Sequence, residues 1–388
     1  MKEIKQLFIT YGLVKIVIFS FIIGSSFLLP YAKDKYESNF IFPQNEKHSI
    51  FSGLKAWDGM HYLYIAKNGY GKASISNRFF PLYPLTIVGI HVFVPDYLLS
   101  GLISSTIFSF FALLIFYLLT RELFDENIAF KASLFFMVFP TSFFMSLVYS
   151  EALFIFLVLF LFYFLHKKNY LIAAFSVFFL IFTRPVGILT IIPLLLFYLF
   201  DKKKKKTVLR LPSFADPVDL TFYPQALVFL IPLLGVFFYF LFMQMTTGNY
   251  FSGFQDQSSV ISSWRLENAI NPIFFLKNLF SPHLQPHSYL DSFLDRMFFV
   301  IFLISLPFIY RFFNKTIFIY SILLGFIPLF GSFMSYMRYL LPVFPLFILM
   351  GVLTNSKKYS LLFFPLLFLC YSLQIVFIIL YGLNYWVS

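Results

Sequence analysis

The chain has 388 residues, of which 60% are hydrophobic, 23% aromatic and only 12% charged, with a mean hydropathy of +0.83. That balance excludes a soluble globular domain and predicts an all-α polytopic membrane protein, because helices satisfy their own backbone in lipid. The formal net charge of +12 falls largely in short loops between apolar runs, where it reads as topology and lipid-headgroup contact rather than a nucleic-acid surface.

Lys2 and Lys5 precede a first apolar run, 10–30. It is long for a signal peptide and lacks a small-residue cleavage site, so it reads as an uncleaved span with a cytoplasmic N-terminus. Residues 31–79 form a long polar loop. Within it, Trp57-Asp58-Gly59-Met60-His61-Tyr62-Leu63-Tyr64-Ile65-Ala66-Lys67-Asn68-Gly69-Tyr70 is an aromatic-rich polar island. As a helix it puts Asp58, His61, Tyr62 and Ile65 on one face, and Gly69 marks its end.

The next apolar run, 79–95, is short and opens on Pro81 and Pro84. It either crosses the membrane or lies along its surface, and the choice inverts everything downstream. Further spans are expected at 98–120, 128–147, 151–166, 170–184, 187–200, 223–245, 297–312, 316–334, 339–354 and 359–381, making about eleven with the first. If 79–95 does not cross, the basic clusters Arg121 to Lys131, Lys167-Lys168, Lys202 to Lys206 with Arg210, Arg311 with Lys315, and Lys357-Lys358 all become cytoplasmic. The positive-inside rule therefore selects the juxtamembrane reading. It divides the chain into a core module, 1–200, with a long first external loop, 31–97; a basic cytoplasmic loop, 201–222; and a C-terminal module, 223–388, with an external loop, 246–295. There is no internal repeat.

Under that topology the polar motifs gather on the non-cytoplasmic face. A solvated aspartate is the ordinary reading of Asp58, but Trp57, His61, Tyr62, Tyr64 and Tyr70 suit a sugar or isoprenoid ligand. A carboxylate beside an acceptor hydroxyl serves as general base. His61 is a candidate to orient Asp58 or to bind phosphate, and Arg78 follows at short range. Tyr149-Ser150-Glu151 opens an apolar run, where Glu151 also suits a helix start. Arg184 lies between Phe182 and Pro185, and Arg338 between Tyr336 and Tyr339. Each must snorkel or find an anion, and a lipid phosphate suits a guanidinium. His283 and His287 are separated by helix-breaking proline, which disfavours a shared metal. The lone Cys370 forms no intramolecular disulfide, and no cofactor or divalent metal is indicated. There is no phosphate-binding glycine loop or nucleotide fingerprint, which points to an activated substrate already in the membrane.

The ordered set Trp57-Asp58-x-x-His61, Ile65-Ala66-x-x-Gly69-Tyr70, Phe79-Phe80-Pro81-Leu82-x-Pro84-Leu85, Tyr149-Ser150-Glu151-Ala152-Leu153-Phe154 and Arg184-x-x-Gly187 resembles the PIG-V family. These are the second mannosyltransferases of GPI-anchor synthesis and their prokaryotic relatives, within the GT-C glycosyltransferase superfamily. The likeness covers about residues 55–190, and Pro185 stands where a small polar residue is expected.

The resemblance implies a GT-C-type fold and Asp58 as the catalytic aspartate. It also implies a polyprenyl-phosphate sugar donor, with mannose as the hexose, and inverting single displacement. Trp57, His61, Tyr70, Arg78, Tyr149, Glu151, Arg184 and Arg338 are then the candidate substrate and phosphate ligands. The acceptor is a glycan, a lipid or a protein, and the membrane a bacterial or archaeal cytoplasmic one with the site external. The alternatives are a lipid or sugar transporter or flippase, and a non-catalytic partner subunit. A transporter would show midplane charges and repeats.

Overall fold

The computed structural model describes residues 2–72, 74–206, 224–255, 271–281, 283–287, 291–326 and 333–387. The protein is an all-helical integral membrane protein, with no β-strand among the described residues. Each expected apolar run carries a helix. Five are long and apolar enough to cross a membrane: Glu3–Leu28, Tyr97–Leu123, Leu227–Thr247, Phe293–Phe312 and Ser360–Gly382. The others are shorter, between the 10 residues of Leu82–His91 and the 16 of Glu151–His166.

Two expected spans are broken. The run 128–147 is helical only over Glu126–Val138. Phe139 precedes Pro140, which pushes it to extended backbone at ψ 140°, and the chain returns through a 3₁₀ turn, Ser142–Ser146. The freed carbonyls of Met137 and Phe139 accept hydrogen bonds from the buried Gln374 amide at 3.1 and 3.0 Å, so these two carbonyls are not left unsatisfied at the break. The run 339–354 likewise divides at Pro342, leaving a short turn, Tyr336–Tyr339, before Pro345–Asn355.

The long loop folds as a chain of short helices. These are Lys33–Glu37, the 3₁₀ turn Ser52–Leu54, α1 (Asp58–Asn68), the 3₁₀ turn Ile75–Arg78, and α2 (Leu82–His91). The island is helical as its spacing implies, and it stops at Gly69, whose φ of +75° favours glycine. Helix α2 folds back against α3 (Tyr97–Leu123). The Tyr83 hydroxyl bonds Gly101 O and Ser105 Oγ at 3.1 and 2.7 Å, and Thr86 bonds Ser104 at 2.8 Å. The 79–95 run thus forms a hairpin with the start of α3 and does not reach its far end.

That far end collects the basic loops. Glu122 pairs with Lys167 at 2.6 Å and His166 at 3.4 Å. Lys131 donates to Thr354 O and Asn355 Oδ1 at 3.2 and 3.0 Å. Phe124 meets Phe313, and Glu3 faces Glu126 and Asp125. The N-terminus and the 124–126, 166–168, 313–315 and 354–358 turns therefore share one end, and Asp58 lies at the other. Of the remaining basic run, the side chains of 202–206 and all of Arg210 fall outside the described structure. Midway, Lys15 is buried with its ammonium fully used, bonding Ser109 Oγ (2.8 Å), Ser146 Oγ (2.7 Å) and Met145 O (3.2 Å). It ties the first span to the turn that precedes Tyr149 and Glu151.

Candidate active site

Asp58 is presented by a strained turn. Gly59 N bonds Ala56 O at 3.3 Å, and Trp57 between them takes φ 57°, ψ −119°. That is the first central position of a type II′ turn, ordinarily glycine. A tryptophan there costs on the order of 1–3 kcal/mol and persists because neighbours enforce it. The enforcing contacts converge on Ala56 O, which accepts hydrogen bonds from the Tyr149 hydroxyl at 3.1 Å and the Tyr381 hydroxyl at 2.9 Å.

From Asp58 a line of alternating charges runs inward. Arg338 Nη1 bonds Asp58 Oδ2 at 3.0 Å, Arg338 Nε lies 3.5 Å from Glu151 Oε1, and Arg184 Nη2 donates to the same Oε1 at 2.8 Å. The Asp58 side chain is 23% exposed and that of Glu151 1%, so Asp58 is the open end and Glu151 the buried link. Arg338 is aimed by its backbone: Ser335 is left-handed at φ 57°, and Met337 N donates to Asp295 Oδ1 at 2.8 Å. Arg184 sits on a turn tied to the 79–85 motif through Leu82 N to Phe182 O at 2.9 Å. That turn needs Gly187, because a Cβ there would lie 2.0 Å from Leu180 O.

Asp58, Arg184 and Arg338 open on a cavity of about 350 Å³. Trp57, His61, Tyr62, Phe79, Phe80 and Tyr339 supply aromatic wall, and Arg78 a third guanidinium. Asp58 is the one carboxylate among its described lining residues. Burial by itself would raise the Asp58 pKa. Arg338 first, then Arg78, outweigh it and hold the carboxyl below its usual range. Arg78 has no carboxylate within 4 Å among the described residues. Its Nη2 reaches His61 Nε2 at 3.4 Å, and its buried Nη1 has no hydrogen-bond partner there.

Several expected ligands are otherwise engaged. His61 is pushed down to about 3, by burial first and Arg78 second. It stacks between Phe40 and Phe79, with Nδ1 on Ser76 Oγ at 2.9 Å. It makes no hydrogen bond to Asp58 and is neutral at physiological pH, so it steadies Arg78 instead of adding a charge. Tyr70 and Tyr149 lie outside the cavity wall; Tyr70 donates to Phe79 O at 2.5 Å. His287 turns inward onto Ser292 and Phe377. Among the described residues no three His, Cys, Asp or Glu side chains gather as a metal site. Much of the 246–295 loop, at 256–270, 282 and 288–290, lies outside the described residues. The reading of single motifs missed Asn39, Phe40, Met334 and Trp386, which line the cavity, and Tyr381. The odd number of spans expected from the sequence would put the C-terminal Asn384-Tyr385-Trp386 on the same face as Asp58, which was the available signal for Trp386.

Comparison with known proteins finds the same family over the N-terminal half. Residues 6–195 match the mannosyltransferase (PIG-V) family. A GPI mannosyltransferase 2 of Drosophila pseudoobscura pseudoobscura is 33% identical over 111 residues, 26% of this chain and 24% of that protein. Two crystal structures of the Archaeoglobus fulgidus oligosaccharyltransferase are also similar. The complex with Zn and sulfate aligns over 94% of this chain and 52% of its own, at 15% identity and TM-score 0.49. The apo form aligns over 96% and 55%, at 14% identity and TM-score 0.47. The chain thus matches about a quarter of the curated relative's length (24%) and about half of the solved structures' (52% and 55%). Residues 6–195, which carry Asp58, Glu151 and Arg184, are thus the part of this chain that is similar to the PIG-V mannosyltransferase family.

Proposed function

We propose that the protein transfers a hexose, mannose by family, from a polyprenyl-phosphate sugar to an acceptor hydroxyl, with inversion and with Asp58 as general base. The observation that carries this reading is the cavity in which one ionised carboxylate faces three guanidinium groups. Asp58 takes the proton from the acceptor hydroxyl while that oxygen bonds the anomeric carbon. The bond from that carbon to the phosphate oxygen breaks, and the electron pair leaves with the polyprenyl phosphate. Retention would need a second carboxylate as nucleophile, and Glu151 is buried behind two arginines.

Arg78 is the cation best placed for the leaving phosphate, because it enters the reaction without a carboxylate partner; Arg184 and Arg338 add field from behind. Arg338 keeps Asp58 ionised but weakens it as a base. As charge builds on the phosphate, Arg338 is drawn toward it and Asp58 gains basicity when the proton moves. No step is assigned to a metal. The gathering of basic turns at the opposite end supports a cytoplasmic N-terminus and an external site.

The test is hexose transfer by the purified chain from polyprenyl-phosphate mannose to membrane-extract acceptors. Asp58→Asn is expected to lower kcat about 10²- to 10⁴-fold, the usual worth of a general base, in protein that still inserts and folds but melts lower for loss of the Arg338 ion pair. Transfer retained by that variant would refute the assignment.

A further inference from the structure

The C-terminal tail closes part of the cavity that the proposed reaction leaves without a role. After the last helix, Asn384 turns left-handed at φ 63° and reverses the chain; asparagine tolerates that conformation. The tail is held on the loop that carries Asp58. Ala32 N donates to Leu383 O at 2.8 Å, Asn384 Nδ2 donates to His48 Nε2 at 3.0 Å, and Val387 is buried. Between these anchors Trp386 lines the cavity and meets Trp57 edge to face, with centroids 4.9 Å apart and planes at 90°. The indole N–H of Trp57 is buried without a hydrogen-bond partner among the described residues.

We propose that Trp386 is an acceptor-specificity residue, and that with Trp57 it forms a right-angled platform for a pyranose ring of the acceptor. This rests on the glycosyl-transfer reading. The C–H face of a pyranose carries weak positive charge and lies against the negative face of an aromatic ring. The unused Trp57 N–H is a donor for a ring hydroxyl. The arginines claim the donor phosphate, so the tryptophan-lined side is left to the acceptor, with Asp58 next in sequence to Trp57.

The experiment measures binding to the whole chain in detergent by titration calorimetry. Mannobiose, cellobiose and chitobiose probe the acceptor side, and farnesyl phosphate probes the donor side. Trp386→Ala is expected to weaken binding of the preferred disaccharide about tenfold, the scale of one aromatic stacking contact. Farnesyl phosphate should bind as to the wild type, and Trp386→Phe should restore most of the sugar affinity. Equal weakening of both probes overturns the proposal, as does a wild type that binds none of the disaccharides. A wild type that binds sugar in this way yet transfers no hexose would sink the reaction and leave the sugar platform standing.

Discussion

Arg338→Gln separates the two influences on Asp58. The guanidinium and carboxylate are 3.0 Å apart. With charge centres about 4 Å apart and an effective dielectric constant of about 20, they attract by about 4 kcal/mol. Asp58 is 23% exposed, so screening trims this to about 2–3 kcal/mol. That attraction opposes burial, and with Arg78 it leaves the carboxyl below its usual range. Because the folded pKa is depressed, the stabilisation is present above the unfolded carboxyl pKa and is lost as pH falls through the folded one.

Arg338→Gln removes the main lowering influence and keeps the burial, so the Asp58 pKa rises. The acid limb of kcat/KM then moves to higher pH, measured between about pH 4 and 8. Arg338→Lys keeps the charge and should leave the limb near its wild-type place. The pH dependence of the melting temperature reports the same shift when turnover is too low to follow. A Gln variant whose acid limb and melting profile match the wild type would refute the ion pair as the control on Asp58.

Two further predictions concern the scaffold. Gly187→Ala forces a Cβ to within 2.0 Å of Leu180 O, so the 182–190 turn must shift and carry Arg184 away from Glu151. The expected result is a loss of about 3 kcal/mol or more, as when a buried ion pair is broken, read as reduced folded yield and a lower melting temperature; wild-type melting would show that the turn has slack. For topology, single cysteines replacing Ser74 and Ser356 in a Cys370→Ser background should differ in intact cells. An impermeant thiol reagent should label only the first, and the reverse labelling would place Asp58 in the cytoplasm.

Membrane embedding, the helical runs and the two-faced distribution of charge follow from the sequence alone, because hydropathy and lysine placement act on each segment independently of its neighbours. Asp58 could be singled out the same way, since an acidic residue among aromatic ones is a local pattern. What aromatic residues do is not local. Tyr70 and Tyr149 look as suited to a ligand as Trp57 does, yet the fold spends their hydroxyls on Phe79 O and Ala56 O. The helix breaks at Phe139 and Pro342 are signalled by proline, but how the freed carbonyls at 137–139 are satisfied depends on Gln374, more than 230 positions away.

The site itself belongs to the tertiary structure. Asp58 and Arg338 are 280 positions apart, Ala56 and Tyr381 are 325 apart, and the tail brings Trp386 to the loop of residue 57. The physical reason is that apolar lipid contact decides which segments are buried in the membrane but is indifferent to which segments touch. Packing between helices, together with the cost of leaving a guanidinium or carboxylate unpaired in a low dielectric, decides that Arg338 closes on Asp58 and Arg184 on Glu151.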